Sequence, residues 1–372
     1  MVLFLNNDDV TKVLTMKDTI DIQDQAFRGL TTGSSVHRPR IDVYVPTDRT
    51  DGYYRWGTME GASKDLGVFA IRMKSDIVYW PEDEQGNWTE EKYCVTPGTF
   101  CGLVFLFSTR NGEPLALINE GFLQHMRVGG GGGLGVKYLS REDSHKVGMI
   151  GSGGMARTYL QAFAEVRDIR SVRVYSPTKA NREAYAQEMS ETLRIDVEPV
   201  DNPQDAVRGA DIVSTCTDAM QPVIKGEWLE PGMHVTNLGG YEMGRDVFER
   251  ADIIIKQGTS GLAPSDEVQA GRGHSPAAYV AGTPEEQMRL PPPMEDSPMW
   301  SGGKAISYPS FTDLVDGKVP GRTSDQEITL YVNGGNQGLQ FAAVGWVAYE
   351  KAREMNLGHE MPTEWFLQDI RD

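Results

Sequence analysis

The chain has 372 residues, and 39% of them are hydrophobic, so it is long enough for two domains with their own cores. Its 53 acidic and 36 basic residues give a formal net charge of -17, which disfavours nucleic acid and anionic membranes as partners. The three cysteines lack disulfide or metal-site spacing, and no apolar run approaches the ~20 residues of a membrane span. With no secretory signal at the start, we expect a cytoplasmic protein without a metal.

The first 127 residues predict a helix followed by a mostly antiparallel sheet. Apolar residues recur at helical spacing over residues 10–30. The turn Asn111-Gly112 predicts a hairpin between the last two of the strand-like stretches. These stretches are 41–45, 68–73, 101–107 and 114–118.

Five consecutive glycines occupy positions 129–133. Such a run is typical of a flexible linker. The alternative is a helix or a tight turn in which the backbone closely approaches a ligand. The sequence leaves both open.

From residue 146 onwards, strands alternate with helices, which predicts a doubly wound parallel sheet. The expected strands are 146–150, 172–175, 211–216, 234–238 and 252–256, and the main expected helices are 155–166 and 180–193. Residues 258–325 are rich in Gly, Pro and Ser and predict either a lid or a surface loop. A strand at 328–332 and a helix at 337–355 are expected to follow.

A glycine-rich turn opens the first helix of this region. Gly151, Gly153, Gly154, Met155 and Ala156 lie in a G-x-G-x-x-A pattern between a short strand and an amphipathic helix, the context in which the pattern indicates dinucleotide binding. The helix N-terminus would present N–H groups and a positive partial charge to the phosphates.

The second strand of the region ends without the carboxylate that usually holds the ribose of NAD. Ser176 and Thr178 provide hydroxyls there, and Lys179 and Arg182 provide positive charge. This combination would bind a 2′-phosphate and predicts NADP rather than NAD. The alternative is that the two cations are ordinary solvated helix residues.

Several segments together resemble one known family over nearly the whole chain. They are Met126-Arg127, Tyr175-Ser176-Pro177, the stretch 228–234 and the stretch 321–330. In this order they resemble the ornithine cyclodeaminase/mu-crystallin family. The resemblance implies a dinucleotide cofactor, a homodimer formed through the N-terminal sheet, and chemistry at an amino-acid α-carbon.

The expected fold class is therefore α/β, a Rossmann doubly wound parallel sheet plus a mixed, mostly antiparallel α+β domain. The resemblance implies that residues 1–127 and 326–372 form the substrate-binding and dimerisation domain. Residues 128–325 would form the dinucleotide-binding domain.

The resemblance also implies the site residues. Arg40 and Arg127 would hold a substrate carboxylate, which a planar guanidinium can bind through two hydrogen bonds. The positions implied to contact the cofactor are Thr99, Thr217, Leu238 and Gly239.

The chain departs from the family at the catalytic position. The family's catalytic lysine falls at Arg72, which stays protonated and is expected to help fix the carboxylate. Lys74, on the same strand face, could then transfer the proton. The alternatives are that a bound water is the donor and that Lys74 is a plain solvated lysine. The cyclodeaminase aspartate is replaced by Tyr241, which disfavours that reaction.

These observations predict an NADP-dependent oxidoreductase that reduces the C=N bond of a 2-imino acid, which is either cyclic or formed from a 2-oxo acid and an amine. The first alternative is an amino-acid cyclodeaminase, a lyase that releases ammonia. The second alternative is a non-catalytic, NADPH-dependent binder of a small ligand, as mu-crystallin suggests.

Overall fold

The computed structural model describes residues 1–82, 84, 86, 88–258, 278–290, 298–301 and 304–370. The N-terminal elements up to the glycine run are, in chain order, β1 (Val2–Leu5), α1 (Asn7–Val13), α2 (Met16–Thr32), β2 (Ser35–Pro46), β3 (Gly52–Ser63), β4 (Val68–Tyr79), β5 (Glu91–Cys94), β6 (Thr96–Pro97), β7 (Cys101–Ser108), β8 (Pro114–Asn119) and α3 (Gly121–Leu139).

The strand–helix alternation that follows comprises β9 (Lys146–Ile150), α4 (Gly154–Val166), β10 (Ser171–Tyr175), α5 (Lys179–Leu193), β11 (Asp196–Pro199), α6 (Pro203–Val207), β12 (Ile212–Thr215), β13 (His234–Asn237), α7 (Arg245–Arg250) and β14 (Ile253–Lys256). Short 3₁₀ helices span Gly226–Trp228 and, near the end of the chain, Thr363–Phe366.

The remaining elements are β15 (Ala278–Val280), α8 (Pro284–Gln287), β16 (Trp300–Ser301), β17 (Lys304–Ala305), α9 (Phe311–Val315), β18 (Thr329–Val332), α10 (Gln337–Glu354) and β19 (His359–Met361). Within the predicted lid or surface loop at 258–325, most of residues 258–277 lie outside the described residues.

A mixed sheet forms the N-terminal part of the molecule. Its described strands run in the order β15-β2-β3-β4-β7-β8-β1-β19, with β5 and β6 extending from β4. The neighbours from β2 to β8 are antiparallel, whereas β1 pairs with β8 and β15 with β2 in parallel. Every second residue of β4 is buried, because one face of the sheet packs against the helices α2 and α10. The mostly antiparallel sheet is confirmed.

A second sheet is parallel throughout, in the order β11-β10-β9-β12-β13-β18-β14. The strand order reverses direction at β9, from which β10 lies on one side and β12 on the other. In open α/β sheets a ligand binds outside the carboxyl ends of the strands at such a switch point. The predicted doubly wound parallel sheet is confirmed.

The glycine run lies in the middle of α3, as a buried helix and not as a linker. A Cβ on Gly129 would lie 2.6 Å from the backbone oxygen of Thr158, and one on Gly132 would lie 2.7 Å from the ring of Tyr159. Both neighbours belong to α4, so two helices approach each other closely. Glycine is required here by helix packing, which offsets its low helix propensity.

Three expectations differ from the structure. The single helix over 10–30 is two helices, because Thr15 caps a new one by accepting a hydrogen bond from the N–H of Asp18. The twelve-residue strand β3 was not predicted, since its buried positions include Arg55 and several glycines instead of alternating apolar residues. The strand β18 lies in the parallel sheet, so the chain leaves that sheet after residue 332 and not at 326.

The segment that carries β15 crosses to the other sheet. β15 forms the edge strand beside β2, and Ala278 and Leu290 are buried against Tyr44 of β2 and Tyr53 of β3. This part of the predicted excursion therefore packs on the N-terminal sheet, although it was assigned to the dinucleotide-binding domain. With these adjustments the two-domain division remains our proposal. Among the described helices, none has the length and hydropathy needed to cross a membrane.

Candidate functional site

The inner face of β4 carries two cationic side chains into the interior. Arg72 and Lys74 are 3% and 7% exposed, since alternate residues of a strand share a face. Arg72 donates through two nitrogens to the carboxylate of Glu120, at the start of α3, and its guanidinium lies 5.7 Å from the ring centre of Phe341 on α10. The charge of Arg72 is therefore compensated within the protein.

Arg127 lies over the same ring, with its guanidinium 4.9 Å from the ring centre of Phe341. Its nitrogens donate to the amide oxygens of Gln124, at 2.8 and 3.1 Å, and of Gln340, at 2.9 Å. Among the described residues, none places a carboxylate within ion-pair distance of it. Burial, and then the nearby charge of Arg72, lower the pKa of Arg127 to about 9. An incoming carboxylate would relieve this cost.

Lys74 belongs to a buried network of charges. Its amine lies 2.8 Å from the carboxylate of Asp76 and 5.3 Å from the ring centre of Phe100. The carboxylate of Asp76 also accepts two hydrogen bonds from Arg55. Burial lowers the pKa of Lys74 well below its usual value, and the positive charge of Arg55 adds to this effect. The ion pair with Asp76 opposes the shift but is outweighed. Lys74 therefore gives up its proton more readily than a solvated lysine does.

Arg40 lies in the same charged region. Its guanidinium pairs with the buried carboxylate of Asp42 at 2.8 Å, and its side chain is 15% exposed. The charge of Arg40 contributes to lowering the pKa of both Lys74 and Arg127. The structure therefore brings together the cationic residues that were predicted to bind substrate, Arg40, Arg72 and Arg127, together with Lys74.

The carboxyl edge of the parallel sheet contacts the helix that carries Arg127, since Asn333, directly after β18, donates to the backbone oxygen of Val128 on α3 at 3.0 Å. Thr217, Leu238 and Gly239 follow the strands β12 and β13 there. The fully buried carboxylate of Glu242 accepts hydrogen bonds from the N–H groups of all three residues and from the hydroxyls of Thr215 and Thr217. The strand ends are thus joined by one carboxylate.

The glycine turn has the form that a dinucleotide diphosphate needs. Gly151 adopts φ 110°, and a Cβ at this residue would overlap the backbone oxygen of Cys216, so glycine is required. Gly153 is exposed, and a Cβ there would meet nothing within 4 Å. No described side chain caps the thirteen-residue helix α4, which leaves its first N–H groups open to an anion. Gly154 lies against the ring of His125 on α3.

The end of β10 carries a compact polar cluster. Ser152 of the glycine turn donates to Ser176 at 2.9 Å. Arg182 donates to the backbone oxygen of Ser176 at 3.1 Å and pairs with Asp201. Thr178 and Lys179 are exposed beside it, and Lys179 lies 3.7 Å from Glu183. All four residues predicted to bind the 2′-phosphate therefore lie close together, although Arg182 already has a carboxylate partner.

The two parts of the molecule meet across the site. The N–H of Met220, after β12, donates to the backbone oxygen of Trp88 at 3.3 Å, and Thr89 and Ala219 form an isolated β-bridge. Burial raises the pKa of Tyr241, and the charge of Glu90, on the N-terminal loop, adds to the rise. This contact joins the loop before β5 to the loop after β12.

Thr99 is exposed, and its hydroxyl donates to the backbone oxygens of Cys94 and Thr96 within its own loop. Its proposed contact with the cofactor therefore stays a prediction. The next residue, Phe100, is the ring that packs against Lys74.

Sequence reasoning missed four residues that hold the site together: Glu120, Gln124, Gln340 and Glu242. Gln124, three residues before Arg127 on a helix, could have been found from its spacing. Glu120 and Gln340 are distant from their partners in the chain, so no local pattern identifies them. Glu242 follows Tyr241 directly and shows that a carboxylate does lie at this edge. Within the described part of the chain, His, Cys, Asp and Glu form no cluster able to hold a metal.

Comparisons with known proteins agree with this geometry. The model of the ornithine cyclodeaminase/mu-crystallin family matches residues 2–356. The chain is 25% identical over 367 residues to alanine dehydrogenase from Archaeoglobus fulgidus, covering 96% of this chain and 98% of the relative. It is 27% identical over 269 residues to Delta(1)-pyrroline-2-carboxylate reductase from Bacillus cereus, covering 71% and 74%.

A solved structure is similar over the whole chain. The Delta(1)-pyrroline-2-carboxylate reductase of Thermococcus litoralis, in complex with NADH and L-proline, has a TM-score of 0.75 and 26% identity and covers 97% of this chain and 100% of its own. This chain therefore belongs to the ornithine cyclodeaminase/mu-crystallin family.

Proposed function

We propose that this protein is a nicotinamide-dependent oxidoreductase that reduces the C=N bond of a 2-imino acid to an amino acid. One observation carries the proposal: among the described residues, the buried guanidinium of Arg127 donates only to amide oxygens. It belongs to the same charged region as Lys74 and lies on the helix that contacts the carboxyl edge of the parallel sheet. A substrate carboxylate would supply the missing counter-charge. Relatives named as pyrroline-2-carboxylate reductases support this substrate class.

Each residue of the site has its own role in this proposal. Arg127 binds the carboxylate, and Arg40 adds positive charge beside it. Arg72 holds Glu120 and packs with Phe341, so it orients the carboxylate site more than it binds the anion itself. Lys74 protonates the nitrogen that gains an electron pair. When bound, the nicotinamide cofactor supplies the hydride, and its diphosphate would rest on the turn at 151–156.

The direct test is to incubate the protein and NADPH with a panel of substrates and to follow the loss of NADPH absorbance. The panel consists of 2-oxo acids with ammonia or methylamine, and of cyclic imines. We expect turnover with at least one 2-imino acid and none with an imine that lacks the carboxylate. Cofactor-dependent binding of such ligands without turnover would instead select the non-catalytic binder.

We also propose NADPH as the preferred cofactor, on the basis of the cluster at the end of β10. Ser176→Asp places a carboxylate beside the expected 2′-phosphate and should weaken NADPH binding about tenfold or more, because a charge-assisted contact is worth roughly 1.5–3 kcal/mol. NADH binding should not weaken. Titration of cofactor fluorescence measures both dissociation constants.

The matched control is Ser171→Asp, which adds the same charge at the other end of β10. It should leave both dissociation constants unchanged. Equal affinities of the unmodified protein for NADPH and NADH would refute the preference.

A second candidate, an amino-acid cyclodeaminase, is favoured by the carboxylate of Glu242 at the sheet edge. This carboxylate is fully buried and already accepts five hydrogen bonds, so it is not available as a base. Burial raises the pKa of Tyr241, which makes it a still poorer base at neutral pH. The reductive reaction needs no such base.

The protein should therefore fail to convert ornithine to proline. Incubation with ornithine and NAD or NADP, followed by measurement of proline and ammonia, tests this. Imine reduction by the same preparation is the positive control. Proline formation at an ordinary enzymatic rate, ~1 per second or faster, would restore the cyclodeaminase.

A homodimer in the cytoplasm completes the proposal. The outer face of the N-terminal sheet is apolar and only partly buried, with Phe69, Ile71, Phe105 and Leu117 on it. A partly exposed apolar sheet face is typical of an interface between copies. The free cysteines, Cys94, Cys101 and Cys216, suit a reducing compartment.

A further inference from the structure

Glu242 carries a carboxylate into the carboxyl edge of the parallel sheet. It is fully buried, and its oxygens lie 2.5 Å from the N–H of Thr217, 2.9 Å from the N–H of Leu238 and 3.1 Å from the hydroxyl of Thr215. The hydroxyl of Thr217 and the N–H of Gly239 complete the set. Three of these partners are backbone N–H groups, which can only donate. Burial raises the pKa of Glu242, and the hydrogen bonds from these N–H groups oppose the rise and favour the ionised form.

Glu242 differs from the other buried carboxylates around the site in its partners. Glu120 is paired with Arg72, and Asp76 with Arg55 and Lys74. Glu242 has only neutral donors among the residues that the structure describes. Its negative charge is therefore spread over the strand ends and is not cancelled by a cation.

We propose that Glu242 makes this protein bind the oxidised form of its nicotinamide cofactor more tightly relative to the reduced form. The inference rests on the proposed function and on the cofactor contacts expected at Thr217, Leu238 and Gly239, which lie at the strand ends that Glu242 joins. The oxidised ring carries a positive charge and the reduced ring does not. A fixed carboxylate in a buried, low-dielectric edge stabilises only the charged ring.

The bias has a consequence for the direction of reaction. When bound, the reduced cofactor would supply a hydride, with its electron pair, to the imine carbon and would thereby be converted to the cationic form, while Lys74 would give the imine nitrogen its proton. A charge that stabilises the cation makes the reduced ring a stronger hydride donor. Among the enzyme-bound species, Glu242 would thus shift the equilibrium toward the amino acid and the oxidised cofactor, while the equilibrium in free solution is unchanged.

The test is the ratio of the dissociation constants of NADPH and NADP⁺, with NADH and NAD⁺ measured in parallel. In Glu242→Gln the affinity for the oxidised form, relative to the affinity for the reduced form, should fall roughly tenfold or more. The matched control is Asp211→Asn. Asp211 is also buried and accepts two backbone N–H groups, but it lies at the opposite, amino end of β12. It should leave the ratio unchanged.

A ratio cancels any structural weakening that affects both forms alike. An equal loss of affinity for both cofactor forms in Glu242→Gln would overturn the inference and leave the proposed function standing. Binding of neither form to the unmodified protein would overturn both.

A second measurement needs no variant and covers the case in which Glu242→Gln fails to fold. It compares NAD⁺ or NADP⁺, whichever binds, with a dinucleotide in which a neutral benzamide ring replaces the pyridinium. The unmodified protein should bind the cationic ring roughly tenfold more tightly. Equal binding of the two would show that no negative charge acts on the ring, and the inference would fail.

Discussion

Replacement of Arg127 by methionine is expected to lower kcat/KM for a 2-imino acid by on the order of a hundredfold or more. Removal of one partner from a buried charge pair costs about 3–5 kcal/mol, and Arg127 has no other charged partner among the described residues. Methionine is similar in length and apolar, so it can remain packed against Phe341. Steady-state kinetics with the best imine of the panel measures the loss.

Cofactor affinity should stay unchanged in Arg127→Met, because the described partners of Arg127 are Gln124, Gln340 and Phe341 and none of them belongs to the glycine turn. Arg38→Met is the control, since Arg38 is an exposed arginine of the same sheet that pairs with Glu60. It should retain full activity. Near-normal kcat/KM in Arg127→Met would show that the carboxylate binds elsewhere.

Lys74→Met is expected to lower kcat by about 10²–10⁴-fold with little change in KM. A positioned proton donor contributes roughly this factor, and Lys74 binds neither the carboxylate nor the cofactor in our proposal. Lys64→Met, at the exposed tip of the same hairpin, is the control and should behave as the unmodified protein.

The pH profile gives an independent test of Lys74. A donor must hold its proton, and burial lowers the pKa of Lys74 well below 10.5. The value of kcat for imine reduction should therefore fall as the pH rises through that lowered pKa. Lys74→Arg keeps its charge over the whole range, so its residual activity should lack this decline. A decline that persists unchanged in Lys74→Arg would assign the donor to another group.

Much of the parallel sheet could be predicted from local pattern. The glycine turn follows a short apolar strand and precedes an amphipathic helix, and each of these signals lies within about twenty residues. The N-terminal sheet was harder. The buried positions of β3 hold Arg55, Gly57 and Gly61, whose burial makes sense only once the neighbouring strands and helices are in place.

The glycine run shows the same limit. Flexibility and close packing require the same residue, so five glycines alone cannot distinguish a linker from a tightly packed helix. The neighbours decide it, and Thr158 and Tyr159 of α4 come almost thirty residues later in the chain.

The sequence by itself determined the dinucleotide turn, the doubly wound sheet and the cationic residues available for an anionic substrate. Tertiary structure decided what each charge does. Arg72 is compensated by Glu120, Arg127 donates to the amide oxygens of Gln124 and Gln340, and Glu242 joins two strand ends. The physical reason is that the charge state and availability of a buried group depend on its partners and its desolvation. Both are set by residues far apart in the chain, which no local pattern records.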